Sequence, residues 1–333
     1  MGSGQQETGG RSSRPAVFSL VGSTASGKKT VGVAVARLID AEIISLDSMK
    51  VYRGMDIGTA KPSPRDREQA AIHMLDLIDP SESFSVGEFL SKARDLVEQI
   101  HGRGRRVLFL GGTAFYLNCL INGLFDVPVS DPALRVSLQA EAEEKGTLYL
   151  HGRLRGADPD SAAAIHPHDL KRIVRALEVI QTTGAPMSRL KRDHTVRVVK
   201  NRIVPAGLRW PAEITSARVR ARTKRMIDLG LVEEVRRILE GSGFGPEAGK
   251  AIGYREIVGF LHGRHSLSDA SEAINRHSLR FVRKQATWYR RFEEIRWFEP
   301  QSANDLSVIV DGMAGYFRES GANPDSRRDC SSP

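Results

Sequence analysis

Three short apolar runs, each closed by small or polar residues, organise the first third of the chain. The first, residues 16–21, ends at a Gly-rich loop, and 27–39 then carries Val31, Val35 and Leu38 at helical spacing. The second, 42–46, runs directly into Asp47 and Ser48. A helical pattern over 86–100 precedes the third, 106–110, which ends in Gly111-Gly112-Thr113. Strands alternating with helices predict a parallel sheet with helices on both faces. Such sheets bind ligands at the carboxyl ends of their strands, where all three turns lie.

From Asp131 the pattern changes to a long helical stretch rich in Ala, Leu, Glu and Arg. Asp131-Pro132 and Thr183-Gly184-Ala185-Pro186 bound it as start and stop signals. A strand-like run at 202–208 follows, then helices at 213–229, 231–241, 248–262 and 268–291. Since the loop after the first strand sets Gly22, Gly27 and Lys28 at the G-x-x-x-x-G-K spacing of a phosphate loop, the expected fold is α/β: a P-loop NTPase-like parallel sheet flanked by helices, with an all-helical insertion and a helical C-terminal region. The expected domains are a disordered Gly/Ser/Gln/Arg-rich leader (1–15), a core (16–125 and 185–300), the insertion (126–184) and a largely disordered tail (301–333). Within that tail only 306–317 is weakly apolar.

Hydrophobic (40%) and charged (27%) fractions are ordinary for a globular chain of 333 residues. No run of 18 apolar residues occurs, so no membrane span is expected. The two cysteines, Cys119 and Cys330, indicate no disulfide framework and agree with a reducing cytoplasm. The net charge of +9 is concentrated in the middle of the chain, about +10 once leader and tail are set apart. A basic body points to a polyanionic partner, nucleic acid first; colloidal solubility alone would account for it equally well.

Residues 22–29 read Gly22-Ser23-Thr24-Ala25-Ser26-Gly27-Lys28-Lys29, a phosphate-binding loop up to its last position. Successive backbone N–H groups there form an anion nest, the following helix adds its positive end, and Lys28 adds a full charge. The final Ser/Thr, whose hydroxyl normally holds Mg²⁺, is Lys29. Either Thr30 substitutes, or another oxygen or water does, or Lys29 replaces part of the cation's charge, or its side chain points to solvent. Asp47, at the end of the second strand, suits a general base or the holder of a metal-bound water. Its bland reading is a turn residue, and that of Thr113 is a helix N-cap.

Several longer motifs accompany these residues. Asp47-Ser48-Met49-Lys50 runs on through Tyr52 to Lys61-Pro62. Gly111 to Tyr116, Ile165 to Asp169, Arg172-Ile173-Val174-Arg175 with Glu178, Ala251-Ile252-Gly253-Tyr254-Arg255-Glu256, and Arg283 to Tyr289 with Trp288 follow in order. Together, from about residue 16 to 298, they resemble the bacterial tRNA dimethylallyltransferases (tRNA isopentenyltransferases). The resemblance implies transfer of a dimethylallyl group from dimethylallyl diphosphate to N6 of an adenosine beside the tRNA anticodon. It implies that loop 22–29 and Arg175 bind the diphosphate, with Mg²⁺ as cofactor, and that Asp47, Thr113 and Lys28 are catalytic. It further implies tRNA contacts by 47–50, Thr113, Arg135, Lys171, Arg172, Ile173, Val174 and Arg175, and by Lys250 to Arg255. The partner would be the anticodon stem-loop, and the protein a monomer.

The chain departs from that family at several points. Ser23 stands where Pro is usual, Lys29 replaces Ser/Thr, and Lys50 takes a place often held by Gln or a small residue. A Thr-Arg pair appears as Ser278-Leu279 with Arg280 one place later, and Lys-Arg-Gln is inverted to Arg283-Lys284-Gln285. The lysines at 29 and 50 either compensate for weaker Mg²⁺ binding or mark altered activity. Three other readings stay open: a P-loop kinase of a nucleotide or metabolite, a prenyltransferase acting on free AMP or ADP, and a weakened tRNA-binding paralog. Arg276, Arg280, Arg283, Lys284 and Arg290 are as readily a solvated basic face as RNA contacts. His166 and His168, flanking Pro167, read as turn residues rather than metal ligands, since no Cys or carboxylate lies at ligand spacing.

Overall fold

A computed structural model of the protein describes residues 14–125, 131–196 and 201–322. The leader to residue 13 and the tail beyond 322 lie outside the described residues. The chain divides into two compact units, 1–121 with 199–333, and 122–198.

Among the described residues there are eight strands: β1 (Val17–Gly22), β2 (Ala41–Leu46), β3 (Ile72–His73), β4 (Arg106–Gly111), β5 (Leu124–Phe125), β6 (Thr195–Val196), β7 (Ile203–Leu208) and β8 (Arg296–Phe298). The first unit is built on one sheet in the order β3-β2-β4-β1-β7-β8, every pair parallel. All residues of β1 and β2 are buried, which is why these strands read as continuous apolar runs rather than alternating ones. The helix Lys28–Leu38 crosses from β1 to β2 and buries Val31, Val33 and Val35 on the sheet. The expected α/β class and parallel sheet are therefore found.

The expectation for the tail is corrected. Leu306–Ala322 is a helix, and its Met313, Ala314 and Phe317 are buried in the sheet's core. Phe317 lies 4.8 Å, ring centre to ring centre, from Phe18 of β1. Spacings of three and four residues among its apolar positions make one buried stripe, which Gly312 and Gly315 dilute in the sequence.

The second unit, 122–198, is wider than the expected 126–184 and is not all helical. β5 and β6 pair antiparallel where the chain enters and leaves it. The long helical stretch is four helices, Pro132–Lys145, Thr147–Ala157, Pro159–Ala164 and Leu170–Thr183, followed by Met187–His194. Asp131, Asp158 and Asp169 cap three of them by accepting from the amide three residues on. Leu138, Leu150, Leu154, Ile173 and Leu177 form this unit's own core.

Back in the first unit, the helices Ala212–Asp228, Leu231–Glu240, Tyr254–Leu261 and Leu267–Tyr289 follow β7. The helix expected from 248 starts only at Tyr254, because Gly253 takes φ 100° and resets the chain. No helix among the described residues is long and apolar enough to cross a membrane.

Candidate active site

The site grows from the carboxyl ends of β1, β2 and β4. After β1 the loop closes on itself: Ser26 N donates to Ser23 O at 3.2 Å, and Lys28 Nζ to the same carbonyl at 3.0 Å. Ala25 (φ 63°) and Gly27 (φ 84°) take left-handed conformations, and a Cβ on Gly27 would lie 2.8 Å from Arg218. A left-handed alanine persists only where its surroundings over-determine it. Here Arg218 Nε donates to Ala25 O at 2.8 Å while its guanidinium stacks on Trp210. Trp210 Nε1 donates to Ser26 O at 2.7 Å.

Asp47 closes a turn after β2 by accepting from Met49 N at 2.9 Å. Ser48 N donates to Thr113 Oγ1 at 3.2 Å, and Thr113 N to Leu46 O at 3.2 Å, so the ends of β2 and β4 are laced together. Gln285, from the helix Leu267–Tyr289, joins β1's loop to β4's end. Its Oε1 accepts from Thr24 N at 2.9 Å and its Nε2 donates to Gly112 O at 2.8 Å. Tyr289 Oη also donates to Gly112 O, at 3.1 Å.

These ends open into a cavity of about 580 Å³. It brings together eleven of the predicted residues: Thr24, Lys28, Asp47, Ser48, Met49, Thr113, Lys250, Ala251, Ile252, Tyr254 and Arg255. Gly22, Ser23, Ala25, Ser26 and Gly27 form the turn itself without lining the cavity, and Lys50 and Gly253 do not line it either. Arg280 and Lys284 line it, whereas Arg276, Arg283 and Arg290 do not. Lys29 does not line it, and the remaining predicted residues belong to the second unit. There Arg135 Nε and Arg175 NH1 each donate at 2.8 Å to Glu178, a carboxylate buried to 0% exposure. Lys171 and Arg172 are exposed. Ile173 and Val174, between them and Arg175, are buried core side chains.

Sequence reasoning missed the residues that hold the motifs in shape. Glu234, 3% exposed, accepts from three successive amides, Asp56 N (3.1 Å), Ile57 N (2.8 Å) and Gly58 N (3.2 Å), and from Tyr254 Oη at 2.6 Å. A Cβ on Gly58 would lie 2.3 Å from the Tyr254 ring, so glycine is required there. Lys61 is buried and donates to Tyr52 O, Asp76 and Asp56. Arg222 lines the cavity and donates to Gly58 O at 3.0 Å. In sequence Glu234 and Arg222 are ordinary charges on helices; nothing local distinguishes them.

The site is strongly electropositive. Burial, with Lys50 and Arg222 nearby, pulls Lys28 down to about 7 against the opposing pull of Asp47. Burial also lowers Lys50 and Arg222, and Asp47 opposes both shifts. Three cations thus act on one carboxylate, an arrangement suited to receiving a compact polyanion.

Lys29 has no part in this cluster's bonding. Its ammonium is 2.8 Å from Asp66 Oδ2, in a partly exposed ion pair. The donors present do not fit Mg²⁺ held as phosphate loops hold it: the hydroxyl position is Lys29, and the Thr30 side chain is exposed. No group of three or more His, Cys, Asp or Glu able to hold a metal occurs among the described residues. His166 and His168 form a turn, His168 N donating to His166 Nδ1.

The IPP transferase family model matches residues 50–292. A tRNA dimethylallyltransferase 2 of Syntrophus aciditrophicus is 38% identical over 88% of this chain and 94% of its own length. A tRNA dimethylallyltransferase of Heliobacterium modesticaldum is 42% identical over 88% and 92%. Among solved structures, a tRNA isopentenylpyrophosphate transferase from Bacillus halodurans superposes with a TM-score of 0.66 at 35% identity, covering 92% of this chain and 98% of its own. A eukaryotic dimethylallyltransferase acting on tRNA shares the fold, with a TM-score of 0.78 at 23% identity over 92% and 79%.

Proposed function

The chain belongs to the IPP transferase family, and from that premise we propose that it transfers the dimethylallyl group of dimethylallyl diphosphate to N6 of an adenosine next to the tRNA anticodon. The observation that carries this reading is the convergence of Thr24, Lys28, Asp47 and Thr113 on one cavity that also presents Arg222.

In the reaction the N6 lone pair attacks C1 of the prenyl group. The C1–O bond breaks, its electron pair leaves with diphosphate, and the N6 proton passes to Asp47. The loop amides of 22–28, Lys28 and Arg222 hold the negative charge that develops on the leaving group, and fixed dipoles and cations are most effective where charge appears in the transition state. Thr113, anchored by Ser48 N, positions the adenine amine. Its neighbour Gln285 keeps the donor side and the acceptor side of the site in register.

An adenine stacked in an anticodon loop must be turned out before it can react. The cavity's Lys250, Arg255, Arg280 and Lys284 provide cations for the backbone that accompanies it, and Phe281, 41% exposed, offers a stacking face. In the second unit Lys171, Arg172, Arg135 and Arg175 supply further tRNA contacts. The partner is the anticodon stem-loop, and the protein acts as a monomer in the cytoplasm. The position whose hydroxyl usually holds Mg²⁺ is Lys29.

The test is to incubate the protein with labelled dimethylallyl diphosphate and either unmodified tRNA or free AMP, then locate the label by nuclease digestion. Label on the adenosine beside the anticodon is expected. Label on AMP alone, or none, overturns the reading.

A further inference from the structure

We infer that this chain holds its diphosphate with fixed side-chain cations and backbone amides alone, the Lys29–Asp66 pair having taken the place of the divalent metal ligand. The inference rests on the reading of loop 22–28 as a diphosphate holder.

The first observation concerns the second residue of the helix Lys28–Leu38. In a phosphate loop that residue's hydroxyl binds the metal that bridges the phosphates. Here it is an ammonium, and it is fixed in place. Asp66 Oδ2, its partner at 2.8 Å, also accepts from Ser63 N and Ser63 Oγ at 2.8 Å each, within the capping box that starts the helix Pro64–Gln69. Lys29 is therefore paired to an ordered turn, and a swing toward the loop requires it to break its bond to Asp66. Asp66 neutralises its charge where it stands. The pair offers no hydroxyl at the ligand position, and Asp66 offsets the charge that Lys29 would otherwise bring to the anion.

The second observation is the charge already present. The two carboxylates among the cavity's lining residues are Asp47 and Glu247. Glu247 accepts from Ser83 Oγ at 2.8 Å. Asp47 is surrounded electrostatically by Lys28, Lys50 and Arg222. One carboxylate among three cations leaves an excess of positive charge at the mouth of the loop. That excess matches a diphosphate, whereas Mg²⁺ is ordinarily held by one or two carboxylates together with substrate phosphates. Lys50, absent from the lining yet close enough to bear on both Lys28 and Asp47, supplies charge that a metal supplies in other phosphate loops.

The experiment is a calorimetric titration of the full chain with inorganic diphosphate, once in excess EDTA and once in excess Mg²⁺. For the native chain the two dissociation constants are expected to agree within about twofold, or to favour EDTA, because Mg²⁺ in solution masks the anion's charge. Lys29→Thr restores the hydroxyl and is expected to bind about tenfold more tightly with Mg²⁺ than without it. Lys29→Ser repeats the test should the threonine variant fold poorly. Native binding that weakens tenfold or more in EDTA overturns the inference while leaving the diphosphate site standing. Two well-folded hydroxyl variants that gain nothing from Mg²⁺ overturn the role given to Lys29. Absence of diphosphate binding under both conditions removes the site reading and the inference together.

Discussion

Tyr254 donates its hydroxyl to the buried carboxylate of Glu234 at 2.6 Å. Through Glu234 the tyrosine reaches the amides of Asp56, Ile57 and Gly58, so two distant family motifs meet on one carboxylate. Burial and the neighbouring Glu234 charge hold the Tyr254 hydroxyl well above its ordinary range, so it stays a donor at any working pH. Tyr254→Phe leaves the carboxylate short of one bond and is expected to cost about 1–3 kcal/mol of stability. Glu234→Ala orphans three amides and a hydroxyl and is expected to cost more than Tyr254→Phe. Urea denaturation of both variants checks the order.

Gln285 spans the site's two halves, and its amide can satisfy Thr24 and Gly112 only with both an acceptor and a donor. Gln285→Glu keeps the shape and sets a carboxylate oxygen against the Gly112 carbonyl. The loop and the Thr113 turn then lose register, and kcat/KM is expected to fall about 10²-fold. A parallel melting curve, shifted by only a few degrees, would separate this from unfolding.

Asp47 opposes an anion in the binding step and serves the acceptor's proton in the chemical one. Asp47→Asn is expected to lower the single-turnover rate by about 10²–10⁴-fold. Diphosphate affinity in the same variant is expected to hold or tighten, because one negative charge has left the cluster. Rapid-quench kinetics and calorimetry on one preparation measure the two effects.

The depressed Lys28 makes both ligand affinity and stability depend on pH. At about pH 7 it is half charged in the ligand-free protein, and a bound diphosphate raises its proton affinity, so binding takes up protons. Affinity is expected to fall as pH rises from 7 to 9. Stability moves the other way: between about 7 and the ordinary 10.5 the unfolded chain binds more protons at this lysine than the folded one. The free protein therefore gains stability from this group as pH rises through that window, and carries the full cost below it. Lys28→Met is expected to abolish diphosphate binding, raise the Tm at pH 7 and flatten that slope.

Phe317 is fully buried against Phe18. Phe317→Ala is expected to cost about 3–5 kcal/mol, and truncation before Leu306 to expose the sheet's core. Chemical denaturation of the two variants tests whether the C-terminal helix belongs to the fold.

The alternation of strands and helices, the parallel sheet, the phosphate loop and its neighbours Asp47 and Thr113 were legible in the sequence. Each depends on local chemistry: apolar period, glycine at a left-handed turn, a polar residue where a strand ends. The family's longer motifs were legible for the same reason, since each is a contiguous stretch. The helix at 306–322 and the ribbon β5–β6 were not legible there, because glycines dilute one pattern and two residues per strand are too few to show another.

What the tertiary structure alone decided is which polar group answers which. Thr24 and Gln285 are 261 positions apart, and Gly58 and Glu234 are 176 apart. No window of sequence contains both partners. A buried amide or charge must find a partner wherever the chain returns, and only packing of the apolar faces determines where that is. Lys29 shows the difference most directly. The sequence by itself established that the metal-binding hydroxyl was missing; the position of Asp66, 37 residues later, decided that the lysine in its place stands as half of an ion pair.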